Sequence, residues 1–242
     1  LSSRELSLPG SWPRHMAPTC ESRPQRVTTR HRPVRLRPTA FRTAAVPSCD
    51  PRSALTAAFP DGDDVVAAKR ALRATAAARR RAAVAALAPA EAGRRIRDRL
   101  MAAVALPASA PVSAYWPLDA ELDPRPVIEA LHAAGHPVGL PVVVGTAQPL
   151  VFRRWQPGMS LEQGSFRVMV PPPESPQLVP AIMLAPLLAF DAAGYRLGYG
   201  GGFYDRTIAK LRSAGPLLVI GLAYAAQEVP AVPHEPTDQP LD

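Results

Sequence analysis

The sequence predicts an α/β sandwich built around a mostly parallel central sheet. Along residues 63–242, segments with helical character alternate with short apolar segments, the order that gives parallel strands joined by helices. Two of the apolar segments, 180–190 and 216–224, are apolar almost throughout, as is typical of strands covered on both faces. Since 47% of the 242 residues are hydrophobic, the chain can bury a sizeable core. We expect one ordered domain over 63–242.

Four segments are predicted to be helical from their composition and their end signals. Residues 61–87 are rich in Ala, Leu and Arg, which favour a helix of about five turns. A second helix follows Pro89, where apolar residues recur at helical spacing. The segments 123–135 and 203–215 each end in glycine, which is typical of helix C-termini.

The remaining apolar segments are strand candidates. In chain order they are residues 111–116, 136–144, 149–155, 180–190 and 216–224. No run reaches the roughly 18 to 20 uncharged apolar residues that a membrane-spanning helix needs, so the sequence predicts no membrane partner.

The basic charge of the chain belongs to an Arg/Pro-rich extension, residues 1–62, which we predict to be disordered. Its first 60 residues carry ten arginines and three acidic residues, a net +7, whereas the other 182 residues carry a net +1. Both cysteines lie in it, so the domain has no disulfide and no cysteine nucleophile. Three interpretations fit this composition: a passive tail or upstream extension that is not part of the working protein, a transit peptide, and a nucleic-acid-binding arm.

The stretch RLGYGGGFYDR, residues 196–206, is the densest in glycine. Between an apolar segment and a predicted helix, its glycines can bring backbone N–H groups close to a phosphate, although a purely structural turn has the same composition. Asp205 falls in the first turn of that helix, where it complements the dipole and can hold Mg²⁺. Arg196 and Arg206 can donate to phosphate oxygens. The spacing matches neither the P-loop nor the dinucleotide-binding fingerprint.

Read with its surroundings, this stretch resembles a known signature. PLLAFDAAGYRLGYGGGFYDR, residues 186–206, is similar to the P-x-x-A-F-D-x-x-G-x-R-L-G-x-G-x-G-[YF]-Y-D run of the 5-formyltetrahydrofolate cyclo-ligase family, also called methenyltetrahydrofolate synthetases. KRALR (69–73), YWPLDAELD (115–123) and HEPTDQPLD (234–242) extend the resemblance over residues 65–242. It implies a three-layer α/β fold. It also implies conversion of 5-formyltetrahydrofolate to 5,10-methenyltetrahydrofolate with ATP and Mg²⁺, releasing ADP and phosphate.

The resemblance also implies roles for individual residues. It places the following residues at the ATP: Lys69, Arg73, Arg196, Leu197, Gly198, Tyr199, Gly200, Gly201, Gly202, Phe203 and Tyr204. Phe203 stands where the family commonly has tyrosine. Lys69 and Asp205 take the catalytic roles, and Asp205 and Asp238 hold the Mg²⁺. The folate is contacted by Trp116, Glu121 and Tyr199.

Structural alternatives stand beside these roles, and rival functions beside the reaction. Lys69 and Arg73 can form a solvated basic face, Trp116 can be an ordinary core residue, and Asp205 a plain helix N-terminal acid. The rival functions are a phosphate- or nucleotide-binding protein of the same fold, and an RNA-associated protein acting through the extension. We expect a cytoplasmic monomer whose partner is a small-molecule folate rather than nucleic acid.

Overall fold

Four α-helices, two short 3₁₀ helices and ten strands make up the part of the chain that the computed structural model describes, residues 62–118 and 120–242. The helices are α1 (Gly62–Ala86), α2 (Pro89–Ala103), α3 (Arg125–Ala133) and α4 (Phe203–Ala214). The longer strands are β2 (Val138–Val142), β3 (Val151–Trp155), β7 (Ile182–Pro186) and β10 (Leu218–Leu222). Two-residue strands are β1 (Val112–Ser113), β4 (Glu162–Gln163), β5 (Met169–Val170), β6 (Gln177–Leu178), β8 (Ala189–Phe190) and β9 (Arg196–Leu197). The extension, apart from Gly62, lies outside the described residues, so its disorder stays a prediction.

The helix boundaries follow the predicted end signals. Proline occupies the first turn of both α2 and α3, where its missing N–H has no helical partner to lose. Gly135, just beyond α3, has φ +87°, a left-handed conformation that only glycine adopts freely. Helix α1 has 25 residues, about seven turns rather than the predicted five. Among the described helices, none combines the length and apolarity that a bilayer-spanning segment needs.

The central sheet has six strands in the order β10-β7-β1-β2-β3-β6. The pairs β10–β7, β7–β1 and β1–β2 are parallel, whereas β2–β3 and β3–β6 are antiparallel. The prediction of a mostly parallel sheet is therefore confirmed, with antiparallel strands added at one edge.

The prediction of one continuous strand over 180–190 is wrong. Strand β7 ends at Pro186, and the chain turns before β8, which pairs with β9 in a separate two-stranded hairpin. The break is stable because the buried side-chain amide of Gln227 donates to the carbonyls of Leu187 (2.8 Å) and Leu188 (3.1 Å), which lack a strand partner there. The turn carries the chain out of the sheet toward α1.

Alternate residues of β7 enter different cores, so helices cover both faces of the sheet. Ile182 and Leu184 pack in the cluster that contains α2 and α3, whereas Met183 and Ala185 pack with Ile208 of α4. This is the three-layer sandwich that was expected. Helix α1 packs against the β8–β9 hairpin through a cluster that includes Leu72, Ala76, Leu188, Ala189, Leu197, Val229 and Val232. Near its C-terminal end, Ala83 and Val84 pack against the cluster of α2 and α3.

Candidate active site

A cavity of about 1290 Å³ opens at the carboxyl edge of the parallel strands, where Val142 and Pro186 line it. Ligands of open α/β sheets bind at this edge because connecting loops converge there. All the residues singled out from the sequence line this one cavity. They are Lys69, Arg73, Trp116, Glu121, Arg196, Leu197, Gly198, Tyr199, Gly200, Gly201, Gly202, Phe203, Tyr204, Asp205, Arg206 and Asp238.

The glycine loop forms one wall of the cavity and leads into α4. Gly200 has φ +98°, and Gly202, the N-cap of α4, has φ +63°. No side chain caps the first turn of α4, so its free N–H groups remain available to an anion. The strand before the loop is the two-residue β9 of the hairpin, not the buried parallel strand that was expected. Arg73 Nε, reaching across from α1, donates to the carbonyl of Gly198 (3.0 Å).

Two glycine-to-alanine substitutions in this loop compare the stability cost of a side chain at positive φ with that of a side chain in open space. Gly200→Ala is expected to lower the free energy of unfolding by about 1–2 kcal/mol, because the side chain would sit at positive φ. Its Cβ would also lie 3.2 Å from the Arg73 guanidinium. Gly198→Ala is the matched control, since its Cβ would meet no heavy atom within 4 Å. Urea unfolding measures the free energy of unfolding of both variants. Equal losses in the two variants would contradict the prediction.

Lys69 is buried and paired with two carboxylates of the C-terminal segment. Its Nζ donates to Glu235 Oε2 and to Asp238 Oδ2, both at 2.6 Å. Burial acts to lower the pKa of Lys69, but the hydrogen bonds to Asp238 and Glu235 outweigh it and raise that pKa above its usual value. With only 8% of Lys69 exposed, the solvated-face alternative does not describe it. Glu235 was not singled out from the sequence, although it stands three residues before Asp238 in the quoted HEPTDQPLD.

Asp205 lies in the first turn of α4, as predicted. It also binds the C-terminal segment at a second point, Gln239. Its Oδ1 accepts from Arg196 Nη1 (3.0 Å) and from the backbone N–H of Gln239 (3.0 Å). Arg196 also donates to the carbonyl of Gln239 (3.3 Å) and is nine-tenths buried. Burial lowers its pKa, and the Asp205 carboxylate opposes that change. Arg196 therefore reaches the cavity with its guanidinium already bound to protein oxygens.

The two aspartates fit a magnesium ion only if a phosphate accompanies it. The described residues contain no group of three or more His, Cys, Asp or Glu side chains that could hold a metal by themselves. The hydrogen bonds described above end on one oxygen of each aspartate, Oδ1 of Asp205 and Oδ2 of Asp238. Mg²⁺ commonly binds through one or two carboxylates, waters and substrate phosphates. The pair beside the glycine loop suits that arrangement.

In the same cavity, Glu121 presents a buried carboxylate. Its Oε1 accepts from the Tyr199 hydroxyl (2.9 Å) and its Oε2 from the N–H of Leu118 (2.9 Å). Burial raises the pKa of Glu121, and both hydrogen bonds oppose the rise. Burial and the nearby carboxylate raise the pKa of Tyr199 to about 12, so its hydroxyl keeps its proton at neutral pH. Trp116 is half-buried beside this group, with the Arg125 guanidinium 5.8 Å from its ring centroid.

Comparison with known proteins gives the same relatives by sequence and by structure. The profile of the 5-formyltetrahydrofolate cyclo-ligase family matches residues 65–242. The chain is 35% identical to the 5-formyltetrahydrofolate cyclo-ligase of Haemophilus influenzae over 135 residues, 54% of this chain and 72% of that protein. It is 33% identical to that of Escherichia coli K12 over 156 residues, 62% of this chain and 85% of that protein.

Two solved structures share the fold. The NMR structure of Aquifex aeolicus 5,10-methenyltetrahydrofolate synthetase superposes with a TM-score of 0.57 at 26% identity, covering 72% of this chain and 87% of the other. The Mycoplasma pneumoniae 5,10-methenyltetrahydrofolate synthetase gives 0.53 at 23% identity, covering 72% of this chain and 95% of the other. At that identity the second likeness supports the three-layer fold alone.

Proposed function

Because the chain belongs to the 5-formyltetrahydrofolate cyclo-ligase family and is an enzyme of that kind, we propose that it converts 5-formyltetrahydrofolate to 5,10-methenyltetrahydrofolate with ATP and Mg²⁺. ADP and phosphate are the other products. The observation that carries the proposal is one cavity lined by two chemically different groups of residues, which we take as its anionic end and its folate end. One group offers cations and free N–H groups to a triphosphate, and the other offers a buried carboxylate and aromatic rings to a pterin.

At the anionic end, the chain supplies charge and hydrogen-bond donors in fixed positions. An ammonium group has three N–H donors, so Lys69 keeps one for a phosphate oxygen after binding Glu235 and Asp238. Arg73 and the first-turn N–H groups of α4 line the same wall. Asp205 and Asp238 would hold Mg²⁺, which would neutralise charge on the phosphates. Stabilising charge in this way is the main demand of phosphoryl transfer.

At the folate end, the chain orients the substrate. The Glu121 carboxylate can accept from the amino and ring N–H groups of a pterin, while Trp116 gives the flat ring an apolar wall. The formyl oxygen would then face the phosphates and take the γ-phosphoryl group, after which N10 closes the ring as phosphate leaves. The chain needs no covalent nucleophile for these steps. Holding the two substrates in contact supplies much of the rate.

The proposal is tested by mixing the protein with 5-formyltetrahydrofolate and MgATP and following the ultraviolet absorbance of the methenyl product. We expect product only when both substrates and Mg²⁺ are present, and equal rates after deletion of residues 1–60. We expect size-exclusion chromatography to find the activity with a monomer. Binding of MgATP without any folate conversion would instead support a nucleotide-binding protein with another reaction. Loss of activity on deleting residues 1–60 would give the extension a role.

A further inference from the structure

Arg80 is a buried arginine that neither the sequence signature nor the cavity lining includes. It lies on α1, seven residues after Arg73 and eleven after Lys69, which places the three cations along one helical face. Only 6% of Arg80 is exposed, and arginine is rarely buried to this degree without a partner. Its Nε and Nη1 have no hydrogen-bond partner among the described residues. A buried cation with unpaired N–H donors is expected to act through its charge.

The neighbours of Arg80 are the residues that form the folate end of the cavity. Its Nη1 lies 3.8 Å from Glu121 Oε1, and both side chains are more than nine-tenths buried. Its guanidinium carbon lies 5.5 Å from the centroid of the Tyr199 ring. The Tyr199 hydroxyl donates to the same Oε1 that Arg80 approaches. Arg80 therefore contacts both partners of this hydrogen bond from behind the cavity wall.

Apart from Arg80, the ionisable groups around Glu121 are neutral, negative or already paired. The hydroxyl of Tyr115 donates to the carbonyl of Leu122 (2.8 Å), and burial raises the pKa of both Tyr115 and Tyr204, which keeps them neutral. The Asp123 carboxylate is negative and is bound by Arg125. In the described part of the chain, Arg80 is therefore the cation that Glu121 meets within 4 Å.

We propose that Arg80 is a positioning residue, whose charge keeps Glu121 ionised and whose contact with Tyr199 keeps that carboxylate turned toward the folate. This inference rests on the proposed function, in which Glu121 accepts hydrogen bonds from the pterin. Burial alone favours the protonated carboxyl, which would offer the pterin fewer acceptors. An opposite charge within 4–6 Å commonly shifts a carboxyl pKa by about 1–3 units, so removing Arg80 moves Glu121 toward the protonated form at neutral pH.

The test is the pH dependence of folate binding by the full chain. In Arg80→Met, the pH below which KM for 5-formyltetrahydrofolate rises is expected to move upward by about one unit, while KM for ATP stays unchanged. Arg80→Lys, which keeps the charge, should restore most of the wild-type profile. The matched control is Arg79→Met, which removes one positive charge from an exposed neighbour on the same helix. Its profile should equal that of the wild type.

Introducing Arg80→Met into the Glu121→Gln variant shows whether Arg80 acts through Glu121. Glu121→Gln cannot titrate, so adding Arg80→Met to it should move neither the pH profile nor KM. A shift that persists in this background would overturn the inference, as would an unshifted Arg80→Met or an Arg79→Met with the same shift. If Arg80→Met does not fold, Arg80→Gln carries the same comparison. Calorimetric titration with 5-formyltetrahydrofolate separates the two proposals: a wild type without binding sinks the proposed function, whereas binding with an unshifted variant sinks only the role of Arg80.

Discussion

Asp205→Asn is expected to lower kcat/KM for MgATP by about 10²–10³-fold, the range typical for removing one fixed electrostatic group from an active site. The carboxylate is one of two that would hold Mg²⁺ beside the glycine loop, and an amide oxygen is a far weaker ligand for a hard cation. Calorimetric binding of ATP should weaken in the presence of Mg²⁺ and change little in its absence. A loss of ATP affinity that requires Mg²⁺ shows that the substitution impairs binding of the metal.

Asp205→Asn is also expected to lower the stability of the fold. Asp205 neutralises Arg196, whose side chain is 4% exposed, so the neutral amide leaves that cation without its charge partner. We expect a loss of about 1–3 kcal/mol in the free energy of unfolding, the usual size for a hydrogen bond to a charged group. Asp98→Asn, the same change at an exposed helix position, is the control and should alter neither property. Activity that recovers fully at temperatures where Asp205→Asn is folded would contradict the metal role.

Lys69→Met is expected to reduce kcat/KM for ATP by about 10²-fold, because it removes a phosphate donor and leaves two neighbouring carboxylates without a cation between them. Glu235 and Asp238 both bind the same Nζ at 2.6 Å. Without it the two carboxylates repel each other. Initial rates at varied ATP and saturating folate measure the loss.

The chain provides a matched control for this variant. Its only other lysine, Lys210, is exposed on α4 and pairs with neither carboxylate, so Lys210→Met removes the same charge without breaking the pair. Lys69→Arg keeps the charge but replaces a compact ammonium with a planar fork, so we expect it to restore stability more than activity. If Lys69→Met and Lys210→Met lose activity equally, Lys69 has no specific role.

The ionisation of Lys69 also sets a direction for stability at high pH. Its pKa is raised in the folded chain, so the ion pairs contribute fully below the unfolded value of about 10.4 and are lost as the pH rises through the folded value. These pairs therefore hold the C-terminal segment in place throughout the neutral range.

The fold was predictable where local signals act alone and unpredictable where distant groups satisfy the backbone. Proline and glycine set the ends of α2, α3 and α4 locally, so those helices were predicted. The break after Pro186 depends on Gln227, forty positions away, and an apolar run gives no sign of it. The small hairpin of β4 and β5 was missed because strands of two residues are too short to show a recognisable period, and Phe166 between them adopts positive φ without being glycine.

For the candidate site, the motifs identified the residues that line the cavity but not those that support them. Each residue of the glycine run is marked by an unusual local pattern, and the structure brings them into one cavity with Lys69 and Glu121. Glu235 and Arg80 carry no such mark, because an acid in a turn and an arginine in an Arg-rich helix are common. Their importance comes from three-dimensional neighbours, the Lys69 ammonium and the Glu121 carboxylate.

The attachment of α1 to the cavity has a consequence for how the protein is synthesised. Lys69 meets its partners 166 and 169 positions further along the chain, and Arg73 meets its own 125 positions further along. At roughly 5–20 residues per second, α1 leaves the ribosome on the order of ten seconds before the segment that neutralises Lys69 has been made. The cavity is therefore completed only at a late step of folding. Under the proposed function, a nucleotide that binds only to the completed cavity stabilises the whole domain by linkage, so cellular ATP would favour completion of newly made enzyme.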